Sequence, residues 1–489
     1  EIRRLLARSW ALDATGRAAE GLPAANLAVE RAEALGEPGT PLLAEARYSR
    51  GRLDRAVGRL ADARRDLEAV VELAERVDDE ALAIDGLREL LGVSLDEADR
   101  SASAAWMAVV RGKLLRFSDR DPRREAELHT LEGLLALHDE RYDAAVAELG
   151  IALARLDELD DDEALSRAQV LLRLAMAQAG LGHDDEARQA FERAGELARR
   201  EGMLPLQAQV LHELGSFHDQ RGRADEAERA LRSSLELRVG FDGPTAPVTI
   251  PTRTLLARLL AQRGELDEAY AMADAARRSL GPGVPAIRQA QVLTLLASFQ
   301  RVHSDWEGAL GSYRRAREAW STLSAPDEVE LAMLDASMAD CLMMLGDPTA
   351  ARTRYEGALQ TLKVRVPDDD PLLVYPLLGL AHLLYEQGDR PGAVAQYRRA
   401  LVIQRDVGDN PELSAVLRWE LGRAVLEQDG VSPAERAEAV ALLQAARQHF
   451  QGVGDSAMVT DIDAFTHDCG PRCSAEPEPP GPTQQQEQQ

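Results

Sequence analysis

The stretch GLGHDDEARQAFERAGELA, residues 180–198, decides the fold, because its pattern returns 40 residues later in QRGRADEAERALRSSLEL, residues 220–237. In both, a glycine (Gly182, Gly222) is followed after five residues by alanine (Ala187, Ala227) and after seven more by a small residue (Ala194, Ser234). The triplet recurs downstream as Gly264/Ala269/Ala276, Ser304/Ala309/Ala316, Gly346/Ala351/Ala358 and Gly388/Ala393/Ala400. Upstream it reads Gly16/Gly21/Ala28, Gly58/Ala63/Val70 and Glu140/Ala145/Ala152. From position 140 the steps are 42, 40, 42, 40, 42 and 42 residues. The 82-residue interval from Gly58 to Glu140 fits two periods, with a degenerate copy around Ala98, and a looser copy runs through Ala439 and Ala446. A step held this long is the signature of a repeat array, here of about eleven units.

Each position has a physical reading. Glycine ends one helix and permits the left-handed turn into the next. Acidic residues such as Asp225-Glu226 then fall in the first turn of the second helix, where the helix dipole favours them. The two small residues, seven apart, share one helix face, where larger side chains would hold neighbouring helices apart. Leu, Val and Ala at helical spacing fill the remainder, as in LLRLAMAQAGL (171–181) and LLGLAHLLYEQG (377–388). Proline-bearing joints separate units: GPTAPVTIP at 243–251, GPGVPAIR at 281–288, SAPDE at 324–328 and VPDDDP at 366–371. Proline costs little at a helix start, where the N–H groups lack partners anyway.

Composition agrees. Aromatics make up 4% of the 489 residues and isoleucine occurs 7 times, while Ala and Leu dominate, a mix rich in helix formers and poor in strand formers. The formal charge is −26, with Lys113 and Lys363 the only lysines. Phosphate backbones and anionic lipids bind to clustered cations, so neither nucleic acid nor a membrane surface is an expected partner. No apolar run approaches the roughly 18–20 residues that span a bilayer. Three cysteines make no disulfide framework, which fits a reducing, cytoplasmic setting.

The pattern resembles the tetratricopeptide repeat, whose unit is about 34 residues of paired helices; a step near 42 is similar to the longer repeats of the kinesin light chain group. The resemblance implies an all-α, right-handed superhelix (an α-solenoid) of about eleven helix pairs. Within it we expect divergent repeats over 1–125, the regular array over 126–405, a degenerate capping repeat over 406–465 and a disordered Pro/Glu/Gln-rich tail over 466–489. A narrower likeness is to the repeat region of myxobacterial serine/threonine protein kinases. It rests on AVERAEALGEPGTPLLAEARYSRGRLDRAVGRLADARRDLEAVVELAE (28–75), on the joints RVGFDGPTAPV and SLGPGVPAI, and on ELSAVLRWELGRAV with AVALLQAARQHFQGVGD near the end. In that family an amino-terminal kinase domain precedes the array, and the sequence here begins at Glu1 rather than Met. Family repeats usually carry paired asparagines, whereas only Asn26 and Asn410 occur here, so the family's groove chemistry is not carried over.

Catalytic motifs are missing. Gly112-Lys113 lacks the earlier glycine and the following hydroxyl of a phosphate loop, and no H-R-D, D-F-G, A-P-E, H-E-x-x-H or G-x-S-x-G occurs. The repeats are therefore expected to be non-catalytic and to need no cofactor. His467, Cys469 and Cys473 offer three ligands where zinc wants four, beside a proline-rich end, and read as cysteines with no structural task. Cys341 reads as a small core residue, and Met338, Met343 and Met344 as gap fillers on packed helices. The acidic runs 159–163 and 368–370 lack the ordered calcium-loop pattern and read as solvated loops.

What remains is a groove. The concave side of such an array is lined by the first helix of each unit, and counting back 13, 10, 6 and 3 from each anchor gives its exposed positions. They are Gln209, His212, Ser216 and Asp219; Thr254 and Arg258; Gln291, Thr294, Ser298 and Arg301; Met333, Ala336, Asp340 and Met343; and Tyr375, Leu378, His382 and Tyr385. Arg258 and Arg301 suit an acidic or phosphorylated segment; Tyr375 and Tyr385 suit an apolar peptide. The expected role is a scaffold that takes partner peptides or helices in this groove. Two alternatives stand beside it: the regulatory arm of a protein kinase whose catalytic domain lies before Glu1, and the sensor arm of a transcription regulator.

Overall fold

The computed structural model describes residues 1–14, 17–97, 99–118, 122–159, 163–281, 284–323, 326–407 and 410–470. Among them no residue lies in a β-strand, and 23 α-helices follow one another in hairpins. The chain divides into two compact units, 1–292 and 293–489. Unit 1 holds the pairs α1 (Ile2–Ala14) and α2 (Ala18–Glu33), α3 (Thr40–Ala56) and α4 (Leu60–Arg76), α5 (Glu80–Asp96) and α6 (Arg100–Ser118), and α7 (Pro122–His138) and α8 (Tyr142–Asp157). It continues with α9 (Ala164–Leu181) and α10 (Asp184–Arg200), α11 (Leu204–Gln220) and α12 (Ala224–Asp242), and α13 (Ile250–Gln262) and α14 (Leu266–Arg278). Helix α15 (Ala286–Val302) contains the division. Unit 2 goes on through α16 (Trp306–Ser321), α17 (Glu328–Met344), α18 (Pro348–Arg365), α19 (Val374–Glu386), α20 (Arg390–Val407), α21 (Pro411–Leu426), α22 (Pro433–Val453) and a last helix α23 (Ser456–Cys469). The sequence divisions at 125 and 405 mark how closely the repeat is kept; packing divides the chain elsewhere, inside α15.

The repeat's spacing is a packing rule. Anchor glycines Gly58, Gly182, Gly222, Gly264, Gly346 and Gly388 have φ between 69° and 83°. At the two anchors without glycine, Glu140 and Ser304 accept φ of 58° and 59°, a conformation that a side chain makes unfavourable. The turn therefore dictates the backbone whichever residue occupies it. The small residues behind the anchors, from Ala63 to Ala400, are excluded from solvent. Seven residues before the anchor, Gly51, Gly133 and Gly215 face Leu67, Leu149 and Leu231, nine after it. A Cβ on these glycines would sit 2.8, 2.6 and 2.7 Å from the leucine Cγ, inside van der Waals contact. Alanine at −7 goes with an aromatic at +9 in four units, Ala175 with Phe191, Ala297 with Tyr313, Ala339 with Tyr355 and Ala381 with Tyr397, all buried; at the Gly264 anchor both positions are alanine, Ala257 and Ala273.

Unit 1 also makes one contact between repeats far apart in sequence. The backbone of Gly58, in the α3–α4 turn, lies against the Pro285 ring, so that a Cβ there would be 2.7 Å from Pro285 Cγ. No helix among the described residues is long and apolar enough to cross a membrane.

Several expectations change. Helix α23 continues to Cys469, so the chain is helical beyond position 465; residues 471–489, the rest of the expected tail, lie outside the described residues, as do Gly16, Ala98 and Asp160 to Asp162. Cys469 is buried at the end of α23 rather than lying in an unstructured end. Cys341 is buried among apolar side chains as expected, and Met338 with it, but Met344 is 60% exposed and fills no gap.

Candidate functional site

The chosen groove residues of unit 2 turn out to be bonded to one another. Arg301 on α15 forms an ion pair with Asp340 on α17 and donates to Tyr375 Oη on α19 at 2.6 Å. Tyr375 and Tyr355 donate to the same carboxylate. Burial works against the charge on Arg301, yet Tyr375, Asp340 and Tyr313 outweigh it and raise its pKa. Burial, reinforced by Asp340, raises those of both tyrosines. The three consecutive first helices are thus joined by polar groups whose hydrogen bonds are already made. Tyr385 is similarly engaged: its hydroxyl donates to Glu427 at 2.5 Å, and Arg390 and Arg423 stack on its ring, 3.8 and 4.4 Å from the centroid. Burial and the Glu427 bond push its hydroxyl up to about 12. His382 is 44% exposed on its side chain and lies 3.7 Å from Glu420. Thr294 is half-buried, and Ala336 is fully buried, so it lines no groove.

Arg301, Asp340 and Tyr355 border a cleft of about 390 Å³ that Met343 and His382 also line; unit 1 has larger ones. A cleft of about 630 Å³ runs along α9 and α11, with walls from α5 and α7. It adjoins a second of about 810 Å³ that reaches α12, α13 and α15; both share Gln169, Leu206, Gln209 and Glu213. Side chains lining them fall at matching places in consecutive repeats, 40 apart: Gln169 with Gln209, Arg173 with Glu213, Met176 with Ser216, Gly180 with Gln220. These are 13, 9, 6 and 2 residues before the anchor. The count of 13, 10, 6 and 3 found half of this face and missed Arg173, Glu213 and Gln220; extending it to the Gly182 unit and allowing the complementary helical phase would have found them. Gly180 is required here, since a Cβ would collide with the Tyr142 ring at 2.5 Å.

His212 does line the second cleft, with the Thr252 hydroxyl 3.2 Å from its Nδ1. Burial pushes its pKa from an ordinary 6.5 down to about 4, and Arg238 and Arg288 add to the shift. Glu213 is pushed up by burial, with Arg238 opposing. Asp219 is half-buried outside both clefts, and Arg258 is exposed outside them. Because the unfolded chain takes up the His212 proton more readily than the native one, the contribution is complete above pH 6.5 and lost as pH falls toward 4. We expect wild type to lose about 2 kcal/mol more than His212→Gln over that window, measured by urea unfolding at a pH series. The paired comparison matters because Asp54, pushed up to about 6 by burial, contributes in the opposite sense.

Among the described residues one group has metal-ligand geometry: His129 and Glu132 on α7 with Glu148 on α8. His129 Nδ1 lies 2.6 Å from Glu148, and Arg111 lies 3.3 Å from Glu132. Arg111 and His129 already occupy these carboxylates, and no metal is assigned.

Helical hairpins at a constant step, with left-handed anchors and a concave cleft on the first helices, define a helical-repeat scaffold. Comparison with known proteins gives the family. Tetratricopeptide-repeat models match residues 206–280 and 377–407, and a model of anaphase-promoting complex subunit 5 matches 129–212. No curated protein matches the sequence significantly. Among solved structures, apo RapI superposes with a TM-score of 0.51 at 15% identity over 70% of this chain and 97% of its own. The apo quorum sensor NprR from B. thuringiensis gives 0.47 at 12% identity over 71% and 97%, and BtubC from P. vanneervenii 0.39 at 21% identity over 47% and 91%. The chain carries tetratricopeptide repeats over residues 206–280 and 377–407, in a fold of that repeat type.

Proposed function

We propose that this chain is a non-catalytic interaction scaffold that receives a segment of a partner protein along the first helices of unit 1. The observation that carries the reading is the pair of adjoining clefts, lined at matching positions of successive repeats by groups of mixed chemistry. Gln169 and Gln209 offer amides to a peptide backbone, and Leu134, Leu137, Met176 and Phe217 offer apolar contact. The half-buried unit 2 network supports its own helices, so of the residues chosen from the sequence His212, which lines the second cleft, and Asp219, Arg258, Thr294 and His382 remain open to a partner.

The test is selection of random dodecapeptides on the purified chain, repeated with a groove-blocked Met176→Arg/Ser216→Arg variant and with a control bearing Arg188→Glu on the outer helix α10. Selected peptides should bind wild type and control alike and lose at least tenfold on the blocked variant. Equal binding to all three proteins would remove the groove from the account. A second reading, the regulatory arm of a kinase, is favoured by the stretches 28–75 and 412–455; a kinase reading frame continuous with Glu1 decides it.

A further inference from the structure

Arg173 is the arginine lining the 630 Å³ cleft that has no partner among the described residues. Elsewhere the arginines facing this cleft or its rim are engaged: Arg55 with Glu89 and Asp96, Arg221 and Arg223 with Asp184. Arg173 sits mid-way along α9, half-buried, with its side chain on the wall of the 630 Å³ cleft, and among the described residues it makes no ion pair or hydrogen bond. Burial alone acts on it and lowers its pKa. Its counterpart one repeat on, Glu213, makes no ion pair with it, so repeat symmetry supplies no acid for Arg173. A guanidinium withdrawn from water without a carboxylate is destabilising, and the strain is relieved when an anion arrives.

The surroundings select the anion. Leu134, Leu137, Leu172, Met176 and Phe217 line the same cleft, and Gln169 stands one turn before Arg173 on α9. One cation between apolar walls suits a singly charged carboxylate with apolar neighbours; a phosphate dianion wants several donors and cations. We infer that Arg173 anchors an acidic side chain, flanked by apolar residues, in an extended partner peptide whose backbone pairs with Gln169 and Gln209. The inference rests on the groove reading above and adds the recognition chemistry to it.

Three arrays of amidated nonapeptides with varied apolar flanks, centred on Glu, Gln or phosphoserine, provide the test, read by fluorescence polarisation on the full chain. Glu-centred members should bind wild type at least tenfold more tightly than their Gln counterparts. Arg173→Gln should erase that ratio while leaving the Gln-centred affinities unchanged, and should unfold at the same or a higher temperature than wild type, because it removes an uncompensated charge. An unchanged Glu-to-Gln ratio in Arg173→Gln, or a clear fall in its unfolding temperature, overturns the anchor while the groove stands. Stronger binding of the phosphoserine array overturns the carboxylate assignment. Failure of all three arrays to bind wild type overturns the anchor and counts against the groove itself.

Discussion

Asp340→Ala should destabilise unit 2 by about 3 kcal/mol, far more than a surface ion pair would cost. One carboxylate accepts from Arg301, Tyr355 and Tyr375, which come from the first helices of two hairpins and the second helix of another. Deleting it leaves a largely withdrawn guanidinium and two buried hydroxyls without an acceptor, and the cost of stranding polar groups exceeds the net worth of the bonds they made. Asp340→Asn keeps one acceptor oxygen and should lose roughly half as much. Guanidinium chloride unfolding of the three proteins provides the check; an alanine variant within 1 kcal/mol of wild type would show that the network contributes little.

Gly215→Val is expected to cost about 3 kcal/mol or more, from overpacking rather than loss of a bond. A side chain there enters the space held by Leu231, 2.7 Å from its Cγ, with the Ala227 carbonyl oxygen 3.3 Å behind. The leucine is fully buried between hairpin helices and has nowhere to turn. The second substitution Leu231→Ala, destabilising alone by 2–5 kcal/mol or so, should then cost much less in the Gly215→Val background. Strict additivity of the two would show that the residues do not meet as described.

The fold was legible because it is periodic. One anchor, one alanine and one small residue, repeated at 40 or 42 residues, express a backbone turn and a helix contact that admit few side chains, and the structure places each of them accordingly. The pairing of Gly215 with Leu231 and of Ala339 with Tyr355 was equally present in the letters, but it is a rule about two positions at once and does not show in a single-position count. The groove was only half legible. Helical periodicity gives a face to within about one residue, which separates His212 from Glu213 and Leu172 from Arg173. It also does not say whether an arginine already has a partner: Arg301 and Arg173 look alike in sequence, and only the fold brings Asp340 to the first. Cys469 was misread for a related reason, since its environment comes from the closing helix and not from its proline-rich neighbours.

The touch between Gly58 and Pro285 alters how unit 1 melts. A linear stack frays from its ends, each hairpin answering only to the one beside it. Once an early turn leans on a joint more than two hundred residues later, the intervening hairpins form a closed loop of mutual support. Loosening any one of them withdraws that distant brace from the others, so the six hairpins from α3–α4 to α13–α14 are tied toward a single all-or-none transition.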